Sequence, residues 1–367
     1  MATKKVLVLY APCGAGHQKA AQAIAEYFKE QNVPEVITKD ILSFAPYWYR
    51  TIYRDGYYFL IRKFPLLWAL LYHSTEMTGP EGSLRRALRK WEQKLFPRFF
   101  VYLREAAPDL VITTHFLPIS LLKEVKTTHK FAVVITDYCA HSLWISVFVD
   151  RYFVACEEVK QILVGKGIVP ERISVTGIPI MPVPSPRAGK QETRKVLGLD
   201  PNVFTVLLLS GSGGSGDIYS IIKGLEKYAG TLQLMVSTGM NKKLEKDLQQ
   251  KFAATPLVLK IFGFADSIYQ YYQAADIVIS KPGGLTVTEC LAFGLPLFMV
   301  NAIPGQEEEN AKFLVGNKAG VLVQDLSKLP DLVEELLQDP ANLAELSSNA
   351  LKIAPQDAAQ KIYEEVK

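Results

Sequence analysis

The 367-residue sequence has few cysteines, no long apolar run and little net charge. Its four cysteines form no C-x-x-C pair, which argues against a disulfide framework or a zinc site and favours a reducing cytosol. The longest apolar stretch, Phe64–Tyr72, is about half of what a transmembrane helix needs. The short apolar run near the N-terminus indicates a first strand and not a signal peptide. A net charge of +4 does not predict a nucleic-acid partner.

Three ligand-binding motifs are also missing. The G-x-x-x-x-G-K-[ST] spacing of nucleoside triphosphatases does not occur, and the first glycine loop, APCGAGH, departs from the G-x-G-x-x-G of dinucleotide-binding folds. Asp40 lies close enough to the next strand to keep a weak dinucleotide alternative open. No D-x-D motif is present, so we predict neither a bound metal nor a cofactor.

Apolar segments of strand length alternate with helical patterns along most of the chain. Such strands predict parallel sheets covered by helices on both faces. Four prolines in Thr176–Lys190 predict a linker. We therefore predict an α/β protein with two doubly wound domains, residues 1–180 and 181–367. The predicted strands are Lys5–Tyr10, Val36–Lys39, Leu110–Thr113, Ala132–Thr136, Tyr152–Ala155, Phe204–Ser210, Gln233–Ser237, Leu257–Ile261, Ile277–Ser280, Leu297–Val300 and Gly320–Leu322.

Residues 44–103 interrupt the alternation within the first predicted domain. This segment has sixteen aromatic residues, and ten lysines and arginines oppose four acidic residues. Tyrosine and tryptophan settle at the level of lipid headgroups, and basic side chains attract anionic lipid. The composition predicts a helical insertion that contacts an anionic membrane surface; core packing with a solvated basic face is the alternative.

Glycine loops follow three predicted strands. They are APCGAGH after the first strand, residues 210–216 (SGSGGSG), and KPGG at Lys281–Gly284. Glycine lets the backbone approach a ligand, and the helix that follows offers free N–H groups to an anion. Glycine is common in such turns for structural reasons, so one loop alone is weak support. Residues 211–216 can build no core, which makes that loop the strongest candidate for ligand binding.

The segment Ile279–Asn310 adds side chains that suit a nucleotide sugar. A helix that begins near Gly283 and Gly284 directs its first N–H groups at a diphosphate and places Thr286 and Glu289 on one face. The carboxylate of Glu289 could accept hydrogen bonds from both ribose hydroxyls. A solvated helix residue is the alternative for Glu289.

The loop after the next strand carries polar side chains that match sugar hydroxyls. These are Gln306, Glu307 and Asn310. The acidic run 307–309 is also what the dipole favours at an ordinary helix N-terminus, so this match depends on the neighbouring Glu289 and glycine loops.

These stretches resemble a known family. Residues 281–310 resemble the donor-binding segment of the GT-B glycosyltransferases of family 28. The first half is similar to monogalactosyldiacylglycerol synthases and bacterial diacylglycerol glucosyltransferases in GAGHQKAAQAI (14–24), THFLP (114–118), the stretch 134–168 and VTGIPI (175–180). Relatives often have GGGH where this chain has CGAGH. The resemblance covers most of the chain and implies a GT-B fold, with two Rossmann-like domains that face a cleft.

The resemblance implies that the C-terminal domain binds UDP-glucose or UDP-galactose and that the N-terminal domain binds diacylglycerol. Gly213, Gly214 and Ser215 would lie near the diphosphate. Phe264 would lie beside the uracil. Glu289 would hold the ribose, and Gln306 and Glu307 the hexose. A last helix at 356–366 would cross back to the N-terminal domain.

Inverting transfer to a lipid hydroxyl needs a base. His17 is the predicted base, because a helix N-terminus lowers its pKa from about 6.5 and keeps it neutral; an orienting or packing role is the alternative. Asp137, after a strand, is the rival base or the group that holds His17 in place. The further candidates on the acceptor side are Gly14, Gly16, His115 and His141, with ordinary loop roles open for both histidines.

We therefore expect a peripheral membrane enzyme on the cytoplasmic face that makes a glycolipid. A transferase for another lipid-linked acceptor, such as the undecaprenyl precursor of peptidoglycan, and a non-catalytic nucleotide-sugar-binding protein are the alternatives. The choice between glucose and galactose, the number of sugars added and the oligomeric state stay open at this point.

Overall fold

The computed structural model describes residues 4–77, 83–123, 125, 129–184, 189–211, 217–265 and 267–367. The chain divides into two compact units. The first unit comprises residues 1–182, 303–309 and 355–367, and the second comprises 183–302 and 310–354. The short segment 303–309, which the sequence analysis assigned to the second domain, clusters with the first unit.

The first unit is built on a six-stranded parallel sheet in the order β2-β1-β3-β4-β5-β6. Its middle strands are buried on both faces because helices cover both sides. The strands are β1 (Lys5–Tyr10), β2 (Glu35–Asp40), β3 (Leu110–Thr113), β4 (Lys130–Val134), β5 (Arg151–Val154) and β6 (Ile173–Val175). The helices are α1 (Ala15–Glu30), α2 (Tyr47–Lys63), α3 (Pro65–Met77), α4 (Ser83–Leu95), α5 (Pro97–Ala106), α6 (Leu117–Leu122) and α7 (Glu157–Gly165).

The second unit repeats this plan with the strand order β12-β11-β10-β7-β8-β9, again all parallel. Its strands are β7 (Phe204–Leu209), β8 (Leu232–Ser237), β9 (Val258–Phe262), β10 (Ile277–Ser280), β11 (Leu297–Met299) and β12 (Gly320–Leu322). Its helices are α8 (Lys190–Val196), α9 (Ile218–Leu225), α10 (Lys242–Lys251), α11 (Tyr269–Ala274), α12 (Gly284–Phe293), α13 (Gln306–Gly316, which begins in the first unit), α14 (Leu329–Gln338) and α15 (Pro340–Ile353).

The last helix, α16 (Ala358–Val366), belongs to the first unit and packs on α1. Its apolar side chains Ile362 and Val366 join the core formed by one face of the first sheet. The ring of Tyr363 meets Phe28 of α1 edge to face, with 5.2 Å between the ring centroids. An apolar stripe at helical spacing therefore fixes this C-terminal segment on the first sheet.

The segment between β2 and β3 forms the four helices α2 to α5 after a short 3-10 helix at Ile41–Phe44. Within the described part of the chain, no helix combines the length and the apolarity that crossing a bilayer requires. Many large apolar side chains of α2 and α3 nevertheless face solvent. The prediction of two doubly wound α/β sheets is confirmed, and β6 is the one strand among the described residues that the sequence analysis missed.

Candidate active site

Each sheet reverses its strand order at one point, and the glycine loops follow the strands at these points. In the first sheet the reversal lies between β1 and β3, and in the second it lies between β7 and β10. Open α/β sheets bind their ligands outside the carboxyl ends of the strands at such a switch point. The carboxyl ends of the strands at each switch point are therefore where the candidate site residues of that unit are expected.

His17 lies in the first turn of α1, directly after the loop that leaves β1. Its Nδ1 atom is 2.6 Å from the carbonyl oxygen of Thr114, which follows β3. The hydroxyl of Thr136, after β4, is 2.9 Å from the same nitrogen. A carbonyl oxygen only accepts, so Nδ1 carries the hydrogen and the lone pair of the neutral ring is on Nε2. The backbone is held as well, since the Thr114 hydroxyl donates to the carbonyl of His17 over 2.8 Å.

The surroundings of His17 keep its ring neutral. Burial lowers the pKa of His17 to about 4, and the hydrogen bond to the Thr114 carbonyl opposes this effect only in part. Burial is thus the main cause of the lowered pKa, whereas the sequence analysis attributed it to the helix N-terminus. A neutral imidazole with a free Nε2 lone pair can accept a proton at pH 7.

His115 and His141 are both buried and both use Nδ1 as an acceptor. The N–H of Leu117 donates to His115 over 3.1 Å, and the N–H of Leu143 donates to His141 over the same distance. The ring of His115 stands edge-on to His17, with 4.7 Å between centroids. Burial, followed by the charge that His17 would carry, holds the pKa of His115 well below its usual range.

His141 connects the loop after β4 to the helix α3. Its Nε2 atom is 3.1 Å from the carbonyl oxygen of Tyr72 and 3.3 Å from a carboxylate oxygen of Glu76. Glu76 also accepts a hydrogen bond from the N–H of Ser142 over 2.7 Å and pairs with Lys166. His141 thus has a clear structural role, and it lines the same cavity as His17 and His115.

A cavity of about 360 Å³ lies beside His17, and the described residues that line it all belong to the first unit. The loops after β1, β3 and β4 contribute polar groups, among them His17 and Asp137. The helices α2 and α3 contribute a mostly apolar wall that includes Leu60 and Leu71. Asp137 was predicted either as the base or as the group that holds His17 in place. At Nδ1 of His17 it is Thr114 and Thr136 that hold the ring.

Gln306 lines this cavity too, because α3 holds the loop that leads to it. The indole N–H of Trp68 donates to the carbonyl of Pro304 over 3.1 Å. The ring of Tyr72 lies directly against Gly305, whose φ is +99°. Glu307, predicted to contact a sugar, accepts a hydrogen bond from the N–H of Ile303 over 2.7 Å and so closes the loop on itself.

Replacing Gly305 with alanine should destabilise this loop. A β-carbon there would lie 2.9 Å from the ring of Tyr72, in a backbone conformation that L residues rarely adopt. We expect the free energy of unfolding of the first unit to fall by about 2 kcal/mol in chemical denaturation. Gly14→Ala is the matched control, because Gly14 has the same φ of +99° and a β-carbon there would have no atom of the described residues within 4 Å. Equal losses in the two variants would contradict a role for the contact with Tyr72.

Gly14 and Gly16 have different places at the start of α1. Gly14 precedes the helix as its N-terminal cap, and its positive φ explains the need for glycine. Gly16 lies within the first turn, one residue before His17. The two glycines therefore shape the turn that presents His17 at the end of β1.

The second unit presents the donor-side candidates. Gly213, Gly214 and Ser215 lie outside the described residues. Gly283 is the N-terminal cap of α12 and, as a glycine, makes no side-chain hydrogen bond to the first N–H groups of the helix. Gly284 is the first helical residue. The amide side chain of Asn310 is fully buried and donates to the carbonyl of Pro282 over 3.0 Å, so it holds the turn that leads into α12.

Glu289 and Thr286 lie one turn apart on α12. Glu289 is only 5% exposed, and the hydroxyl of Tyr272 donates to its carboxylate over 2.9 Å. The alternative of a solvated helix residue is therefore wrong for Glu289. Thr286 is half-buried. A buried carboxylate with a fixed orientation suits the recognition of a vicinal diol better than a mobile one.

Phe264 follows β9 at the carboxyl edge of the second sheet and is 68% exposed. Tyr272 and the two threonines that hold His17, Thr114 and Thr136, had no predicted role, although both threonines lie in stretches that carry the family resemblance, THFLP and residues 134–168. Within the part of the chain that the structure describes, no group of three His, Cys, Asp or Glu side chains is placed to hold a metal ion.

Comparison with known proteins identifies the family. The sequence profile described as monogalactosyldiacylglycerol (MGDG) synthase matches residues 17–180, and the profile described as glycosyltransferase family 28 C-terminal domain matches residues 205–362. A protein of Bacillus thuringiensis (strain Al Hakam), named processive diacylglycerol beta-glucosyltransferase, is 29% identical over 371 aligned positions. The alignment covers 99% of this chain and 93% of the length of that relative.

Solved structures agree on the fold. MurG of Acinetobacter baumannii has a TM-score of 0.59 at 17% identity, with 99% of each chain covered. Anabaena Alr3699/HepE in complex with UDP and glucose has the same TM-score, identity and coverage. The two parallel sheets thus form a two-domain GT-B fold, and the two matched profiles lie one after the other along it. The chain belongs to glycosyltransferase family 28, in the group of monogalactosyldiacylglycerol synthases and diacylglycerol glucosyltransferases.

Proposed function

We propose that this protein transfers a hexose from a UDP-sugar to the free hydroxyl of diacylglycerol and so makes a membrane glycolipid. One observation carries the proposal: a neutral, oriented His17 lines a largely apolar cavity in the unit that matches the MGDG synthase profile. A lipid alcohol has the two properties that this cavity suits, an apolar body and a hydroxyl that must lose a proton.

Transfer proceeds by a single displacement in this proposal. Nε2 of His17 takes the proton of the acceptor hydroxyl, the oxygen attacks the anomeric carbon, and the bond to the UDP oxygen breaks on the opposite face. An in-line attack on an α-linked UDP-sugar gives a β-linked product, which agrees with the name of the Bacillus relative. A positioned base of this kind contributes about 10²–10⁴-fold to the rate.

The donor binds to the second unit in this proposal, and UDP leaves without the help of a metal. The N-terminal N–H groups of α12 and the loop 211–216 stabilise the diphosphate, Glu289 holds the ribose, and Phe264 contacts the uracil. Gln306, Glu307 and Thr286 are the candidates for contacts with the hexose and the phosphate. Asp137 is the alternative base.

The proposed reaction is tested with purified protein, diacylglycerol vesicles and radiolabelled UDP-glucose or UDP-galactose in separate incubations. Chromatography of the lipids should give a labelled glycosyl-diacylglycerol, with UDP-glucose as the expected donor because the relative is named a glucosyltransferase. A second, more polar band would indicate addition of a further sugar. The rate should not change with EDTA. Label recovered only as free sugar, or only in a polyprenyl-linked acceptor, would contradict the proposal.

The enzyme must reach its acceptor in a bilayer, and α2 and α3 carry a surface suited to that. Their large apolar side chains point into solvent, and exposed basic residues such as Arg50 and Arg54 accompany them. The most exposed are Tyr47, Ile52, Phe59, Leu66 and Leu70. Apolar side chains among basic ones match a membrane interface that contains anionic lipid. We include in the proposal that this surface holds the enzyme on the cytoplasmic face of the membrane.

Binding to anionic vesicles should depend on these side chains. In a sedimentation assay at low salt, Leu66→Asp/Leu70→Asp should reduce the vesicle-bound fraction at least about tenfold, since burying each leucine contributes about 1.5–3 kcal/mol. Leu66 and Leu70 are 84% and 65% exposed, so the fold should tolerate the change. Val196→Asp, on an equally exposed residue of α8, is the matched control and should bind as the unmodified protein does. A wild-type protein that ignores anionic vesicles at low salt would contradict this proposal.

A further inference from the structure

Gly56 lies in the middle of the 17-residue helix α2, where a glycine is unfavourable. Two common reasons for glycine do not apply. Its φ is not positive, and among the described side chains a β-carbon added there would meet only that of its own helix neighbour Ile52, at an ordinary distance of 3.8 Å. Neither the backbone conformation nor a close approach therefore requires glycine at this position.

The position of Gly56 on the helix supplies a third reason. Tyr53, Gly56 and Leu60 are three and four residues apart, so they share one face of α2, and all three line the cavity beside His17. A side chain at position 56 would extend between those of Tyr53 and Leu60. The glycine thus leaves a gap in the apolar wall.

The same wall continues to the protein surface. Trp68 and Leu71 of α3, a helix that packs against α2, also line the cavity. Leu71 is 44% exposed, so its side chain lies partly against the cavity and partly against solvent. The volume of about 360 Å³ is within the range of about 300–1,000 Å³ that is typical of small-molecule sites.

We infer that Gly56 is a specificity-determining residue, which keeps open the part of the cavity that receives an apolar chain of the acceptor. This inference rests on the proposed function. The apolar residues of α2 and α3 contact the chain, while His17, Asp137 and Gln306 of the same cavity face its hydroxyl end. The ligand class is a long-chain glyceride with a free hydroxyl, which enters beside α2 and α3.

A size series at position 56 tests the inference through transfer. Gly56→Ala should lower kcat/KM for dioleoylglycerol no more than about threefold, whereas Gly56→Leu and Gly56→Phe should lower it at least fiftyfold. Dihexanoylglycerol should be less affected than the long-chain acceptor, and the Kd for UDP should stay within twofold. Gly165→Leu is the matched control: Gly165 also lies in a helix, has open space at its β-carbon position and does not line the cavity. Wild-type kcat/KM for dioleoylglycerol in Gly56→Leu would overturn the inference.

Tryptophan quenching tests the inference without any reaction. Trp68 and Trp144 line the cavity, whereas Trp48 and Trp91 are about half exposed. In a Trp48→Phe/Trp91→Phe background, a brominated monoacylglycerol below its micelle concentration should quench the fluorescence saturably. Gly56→Leu in that background should weaken this binding at least tenfold, and Gly165→Leu should not. Equal quenching in the background protein and in its Gly56→Leu variant, or no quenching in the background protein, overturns the inference. A protein that binds the glyceride but forms no glycolipid instead overturns the proposed function.

Discussion

Replacement of His17 by alanine should lower kcat at least about a hundredfold while UDP binding persists. The variant loses the Nε2 lone pair, which the hydrogen bond from Nδ1 to Thr114 leaves free to accept the acceptor proton. General bases contribute about 10²–10⁴-fold, and UDP is proposed to bind to the other unit. Steady-state kinetics with saturating UDP-glucose gives kcat, and calorimetric titration with UDP gives the Kd.

His73→Ala is the control for the loss of a histidine, because His73 is exposed on α3 and lies outside the cavity lining. It should keep the activity of the unmodified protein. Near-normal kcat in His17→Ala would remove His17 from the mechanism and favour Asp137 as the base.

The pH dependence of kcat/KM adds an independent check on His17. A protonated ring cannot accept a proton, so activity is lost as the pH falls through the pKa in the folded protein. Burial lowers that pKa to about 4, and the rate should therefore be level between about pH 6 and 8 and fall only near pH 4. A decline centred near 6.5 would indicate a solvated base.

Replacement of Glu289 by glutamine should raise the Kd for UDP and lower kcat/KM for the donor about a hundredfold. The carboxylate accepts twice from a vicinal diol, and hydrogen bonds to a charged group contribute about 1.5–3 kcal/mol. A hundredfold corresponds to about 2.7 kcal/mol. Since the ribose does not react, kcat at saturating donor should fall much less. Titration with UDP and with uracil separates the ribose contact from the base contact, because only UDP carries a ribose.

Tyr272→Phe is the control for the packing around Glu289. It removes the hydroxyl that donates to the carboxylate over 2.9 Å and keeps the ring that stacks on Phe293. We expect an intermediate loss in UDP affinity, because the carboxylate stays but is less firmly oriented. Unchanged affinity for UDP in Glu289→Gln, with a melting temperature like that of the unmodified protein, would exclude Glu289 from the donor site.

Local patterns were sufficient for eleven of the twelve strands in the described part of the chain. The strand Ile277–Ser280 is predicted to the residue, because three consecutive apolar residues and a serine, all buried, are followed by a lysine, a proline and two glycines. The strand β12 also has only three residues, but it lies within the continuous apolar run Ala319–Val323 and was predicted. The strand β6 was missed, since Ser174 separates its apolar residues Ile173 and Val175 and polar Arg172 and Thr176 flank them, which leaves two apolar positions. A period-2 or continuous apolar signal needs a longer segment than that.

The candidate site residues likewise divide into those that a local motif reveals and those that it does not. The glycine loop before His17, the helix start at Gly283 and the polar residues after β11 are visible in the sequence, because each motif is contained in about ten neighbouring residues. Long-range partners are not visible. His17 and Thr114 are 97 residues apart, and Thr136 is 119 residues from His17.

The sequence by itself determined two wound α/β sheets, glycine-tipped strand ends and a set of polar residues suited to a nucleotide sugar, since these depend on periodicity and on backbone freedom. Only the tertiary structure decided the strand orders that bring β1 beside β3 and β7 beside β10, the threonines that fix the tautomer of His17, and the apolar cavity. The physical reason is that strand order and cavity shape arise from packing between segments that are distant in the chain, which no local pattern records.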